Sequence, residues 1–131
     1  MNISTENKGQ WFYFDESNPD EGGVCIRELS VDELERIESI TVKTHKKVKH
    51  GVAYDETRTD DKLAKKMRWD YCIVDWKNVV IDGASADCIS ENKQKAVKSM
   101  AFLRFILSCL EKLNDEAEIS NEARLKNSET S

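Results

Sequence analysis

The sequence predicts an α+β fold, mainly α, with an N-terminal β-hairpin, about three helices and a frayed acidic C-terminal tail. Three observations predict it. Two β-type runs, WFYF (11–14) and VCIREL (24–29), flank a stretch crowded with turn residues. Ser30 followed by Glu33 is a capping box that opens a short amphipathic segment. Apolar residues then recur at helical spacing across 60–78 and again across 91–113.

At 131 residues the chain has enough length for one modest core. The domain is placed at 10–113, between a flexible N-terminal tail (1–9) and an acidic tail (114–131). The hairpin takes 10–29, with DESNPDEGG (15–23) as its loop. A calcium loop starting at Asp15 would need an oxygen ligand, a glycine and a glutamate where the chain has Pro19, Asp20 and Ile26. Calcium is excluded there.

Val31, Leu34, Ile37 and Ile40 give the face of a helix over 31–41. Residues 43–58 alternate weakly around Gly51 and read as a basic loop or hairpin. Thr59 can cap a helix over 60–78, with Asp60 and Asp61 suited to its positive end. In that helix Trp69, Ile73, Trp76 and Val80 fall on one stripe, at i, i+4, i+7 and i+11, and are expected in the core. Leu63, Met67, Tyr71 and Val74 form a second stripe beside it. Read as a strand, the same stretch would put Asp75 and Lys77 on a face with Ile73 and Val79, so the helix is preferred. Asp70 and Asp75 are then about 500° apart in rotation and cannot act as a carboxylate pair. Ser90 is expected to cap the third helix (91–113). Val97, Met100, Phe102, Phe105, Ile106, Cys109, Leu110 and Leu113 make its stripe wide enough to bury against more than one neighbour. Beyond it, Ile119 and Leu125 are the apolar residues left, so fraying or ordering on binding is expected.

The chemistry-bearing patterns are sparse. Gly22–Gly23 precede a strand rather than a helix, so no phosphate loop is formed. No G-x-S-x-G elbow occurs. Cys25, Cys72, Cys88 and Cys109 are scattered, and His45 and His50 sit among lysines, so no metal and no cofactor are expected. An enzyme is not expected. No apolar run approaches the roughly 18 residues of a membrane span, and no secretory signal is visible. The localisation expected is therefore cytoplasmic, without a membrane.

The net charge of −5 is unevenly spread. Ten acids face three bases over 1–42, four face nine over 43–68, and eleven face eight over 69–131. The basic island invites a nucleic-acid reading. Tyr54 alone interleaves an aromatic, however, and a pI near 5.1 argues against nucleic acid as the partner.

Three stretches carry a family resemblance: WFYFDESNPDEGGVCIREL, WDYCIVDWKNVVIDG (69–83), and CISENK (88–93) leading into the last helix. Over roughly 10–113 the chain resembles the tail assembly chaperones of long-tailed bacteriophages and their prophage copies. The loop at 84–87 lacks the proline often found before the last helix in that family. The resemblance implies a small, non-catalytic helical protein in the host cytoplasm. It would bind the tape measure protein, keep it soluble, and help tail tube protein gather on it. Homo-oligomerisation stays open. On the residues themselves, Phe102, Phe105, Ile106 and Leu110 are the candidate partner-binding face, with Trp69 and Trp76 beneath it. Two other functions remain open: a structural tail or connector component, and a small nucleic-acid-binding regulator acting through 43–68.

Overall fold

The structure, a computed structural model, describes residues 7–129, with side chains described for 7–116. In chain order the elements are β1 (Gln10–Tyr13), β2 (Gly23–Ile26), α1 (Val31–Thr41), β3 (Val42–Lys49), β4 (Val52–Thr59) and α2 (Asp61–Cys72). They continue with β5 (Ile73–Lys77), β6 (Val80–Ile81), β7 (Ala84–Ser85), α3 (Ser90–Ala96) and α4 (Met100–Glu129). Among the described residues, four helices and seven strands in three antiparallel sheets make a mixed α/β fold. The mainly α expectation with a single hairpin is overturned by this strand content.

The central sheet has the order β1-β2-β5. β1 and β2 form the N-terminal hairpin, with Trp11 opposite Cys25 and Phe12 opposite Val24. Pro19–Glu21 makes a single 3₁₀ turn in the connection. Gly22 then returns the chain at φ +112°, where a Cβ would run into the Lys77 carbonyl. Only glycine fits that approach.

β5 corrects the second helix. α2 begins from Asp60, whose carboxylate accepts from Leu63 N at 3.1 Å, and stops at Cys72 rather than at 78. The next five residues pair with β2. Ile26 faces Ile73 while Cys25 faces Asp75, so Val74 is an extra residue, a β-bulge in β5. The bulge resets the two-residue alternation and puts Ile73 and Trp76 on one face despite their spacing of three. A bulged strand thus imitates a helical stripe. Asp75 and Lys77 fall on the other face, and Asp75 is tied to the backbone by Trp76 N at 2.8 Å.

Two further hairpins turn on left-handed pairs. His50–Gly51 joins β3 to β4, and Asp82–Gly83 joins β6 to β7, all four residues with positive φ. This is the geometry of a type I′ turn, whose twist matches that of the paired strands.

The core lies between the central sheet and the helices after it. Val24, Ile26, Ile73 and Ile106 are fully buried, with Phe12, Trp76, Val79, Ala96 and Cys109 beside them. Trp76 donates from Nε1 to the Ala86 carbonyl at 2.7 Å, so its one polar group is satisfied. Val80, expected in the core, is 63% exposed; Val79, in the connection after left-handed Asn78, takes the buried place instead.

The last helix also differs. Residues 97–99 interrupt it, dividing 91–113 into α3 and α4. Ser90 starts α3 and gives its hydroxyl to Asp70, at 2.8 and 2.9 Å, instead of capping the helix. The acidic segment expected to fray continues α4 as helical backbone to Glu129. α4 is therefore about 45 Å long. The flexible tail placed at 1–9 lies outside the described residues up to residue 6. Asn7 is held, donating to the Glu28 carbonyl at 2.9 Å and to Tyr71 Oη at 3.1 Å.

Candidate partner-binding groove

The face expected to meet a partner is mostly turned inward. Ile106 is 0% exposed, and Phe102, Phe105 and Leu110 are half-buried against the core. Phe102 meets Trp76 edge to face at 6.0 Å, and Phe105 meets Phe14 at 5.0 Å. These four side chains hold α4 to the sheet and offer a partner little. The outward positions on α4 are Met100, 60% exposed, and Leu107, 50% exposed. Leu103 lies between them, one turn from each.

Leu103 opens onto a groove of about 700 Å³ between α2 and the α3–α4 junction. Leu63, Trp69, Val97 and Leu103 supply its apolar lining. Trp69 and Val97 pack inward on the core, whereas Leu63 and Leu103 lie outside the core cluster. The rim is cationic: Lys62, Lys65, Lys66, Arg68 and Lys98 line it, with Asp60 and Gln94. None of these five cations makes an ion pair among the described residues.

A polar seam fixes the groove walls. Asp70 on α2 accepts from Ser90 Oγ and from Gln94 Nε2 at 3.1 Å, and its own carbonyl accepts from Lys93 Nζ at 3.1 Å. Gln94 also reaches the Lys66 carbonyl at 3.3 Å. Asp70 is thereby a clamp between helices. Asp70 and Asp75 sit on different elements with separate partners.

The basic island divides into two surfaces. Its second half forms the groove rim. Its first half is the β3–β4 ribbon, an arm of about 26 Å between α1 and α2, exposed almost throughout. The pairing register places Lys43, His45, Lys47, Lys49 and Arg58 on one face with Val52, Tyr54 and Glu56. The other face carries Val42, Thr44, Lys46, Val48, Ala53, Asp55, Thr57 and Thr59. Side-chain contacts agree with that division, since Thr44 and Thr57 hydroxyls meet at 3.4 Å and Glu56 binds Lys47 and Arg58. Hydrogen bonds from Lys47 and Arg58 hold the Glu56 carboxyl below its ordinary range.

Burial pushes the thiols of Cys72, Cys88 and Cys109 up to about 11, and raises Cys25 as well. Thiols so protonated at neutral pH are poor nucleophiles and poor metal ligands. Among the described residues, no three His, Cys, Asp or Glu side chains converge to hold a metal ion. No helix of the described residues is long and apolar enough to cross a membrane.

No protein-family model, curated protein or solved structure matches this chain. The groove must therefore speak through its own residues. Sequence reading missed Leu63, Val97 and Leu103 as a common surface. The signal available was the second apolar stripe of α2, which one small core could not absorb.

Proposed function

We propose that this protein is a non-catalytic assembly chaperone of a long-tailed bacteriophage, one that holds helical segments of the tape measure protein soluble in the host cytoplasm. The observation that carries this reading is the groove, an open apolar surface walled by helices and ringed with cations that make no ion pair among the described residues. An exposed apolar patch with a polar rim suits protein–protein contact. The resemblance at 10–113 supports the same reading.

Co-expression with the tape measure protein tests it. The tape measure protein should move into the soluble fraction and co-purify with this chain. Leu63→Glu combined with Leu103→Glu, placed in the groove, should abolish that rescue. A tape measure protein that stays insoluble beside wild-type chaperone contradicts the reading.

The arm favours a second reading. A two-stranded ribbon fits the major groove of duplex DNA, and this one concentrates four cations on one face. In that case binding to duplex DNA should fall steeply with salt and vanish when Lys43, Lys47 and Lys49 are replaced by Ser. No gel shift at low salt removes it.

A further inference from the structure

We propose that the groove selects an amphipathic α-helix whose apolar stripe is flanked by acidic side chains, with Lys62, Lys65, Lys66, Arg68 and Lys98 reading the flanks. This deepens the chaperone reading and rests on it. The floor demands an apolar stripe, because Leu63 and Leu103 are only half-buried and line the groove beside Trp69 and Val97. The rim demands opposite charge, because five cations there lack acidic partners among the described residues. The walls favour a helix over a strand. They are α2 and the α3–α4 junction, with no strand edge to pair with, so the guest's backbone groups must be satisfied within the guest.

A second copy of this chain fits less well. The acidic end of α4 supplies charge, but its apolar residues Ile119 and Leu125 are six apart. That spacing is not the three- or four-residue repeat of a continuous helical stripe. The guest is therefore another protein with a continuous stripe.

Three labelled synthetic helices of about 18 residues test this, sharing one leucine stripe and carrying Glu, Gln or Lys flanks. Their binding to the full chain is read by fluorescence anisotropy. The Glu-flanked helix should bind at least about tenfold tighter than the Lys-flanked one at low salt. The gap should narrow near 0.5 M salt, where screening is about 4 Å deep. Lys62→Glu with Lys66→Glu should reverse the preference while leaving the Gln-flanked helix within about twofold. Should that variant fail to fold by circular dichroism, Lys65→Gln with Lys98→Gln should still shrink the preference. Equal binding of all three helices, or a Lys-flanked preference, overturns the proposal. So does displacement of the Glu-flanked helix by duplex DNA, which would make the rim a phosphate site. If no helix binds, the proposal also falls, whereas the chaperone reading then stands or falls on the co-expression result alone.

Discussion

Val79 and Val80 are neighbours with opposite fates, 8% and 63% exposed, and Ile73 and Trp76 share a face three residues apart. The second follows from one extra residue, Val74, in β5, and the first from the chain's turn at left-handed Asn78 after that strand. Trp76→Ala should cost about 3–5 kcal/mol in urea unfolding, since it removes the side chain that Phe102 and the Ala86 carbonyl both meet. Val80→Ala should cost under about 0.5 kcal/mol, where a helical stripe would make the two comparable. Gly22→Ala should cost about 3 kcal/mol or more, because its Cβ would need both a left-handed φ and the space of the Lys77 carbonyl. The thiols add a pH dependence. Their folded pKa values lie above the ordinary thiol value of 9.0, so their contribution is complete below about pH 9 and is lost as pH rises toward 11. Unfolding measurements from pH 7 to 11 should show a decline in that upper window, and a flat profile would contradict it.

At the scale of elements, local signals were legible where they were self-contained. Half of the capping box at Ser30 forms, its hydroxyl accepting from Glu33 N at 3.1 Å while the Glu33 carboxylate accepts from Arg36, and α1 covers the range it marks. The first hairpin was legible in its paired β-type runs. The end of α2 was not, because a bulge reproduces helical spacing and its existence depends on β2, some fifty residues earlier. Nor was the interruption at 97–99, next to which α3 is tied to α2 through Asp70 and Gln94, residues distant in sequence. The Asp82–Gly83 and His50–Gly51 pairs were the available hairpin signals. The arm makes a prediction of its own. Its residues bury almost nothing, so replacing 44–57 with a short Gly-Ser linker should leave the melting temperature within a few degrees. A large loss of stability would mean the arm belongs to the core.

At the scale of the whole molecule, the chain keeps acidic ends around a cationic middle, and folding divides that middle between an arm and a groove rim. The face nominated from the last helix was real as an apolar stripe but is consumed in closing the core. The groove was not legible in the sequence, since it joins residues 63–69 to 94–103 across separate helices. The most direct measurement is hydrogen–deuterium exchange on this chain mixed with the proposed partner, the tape measure protein, compared with this chain alone. Protection concentrated at residues 61–70 and 94–107 is the expected result. A complex in which those segments exchange unchanged, while protection falls on the arm or the sheet, contradicts the account.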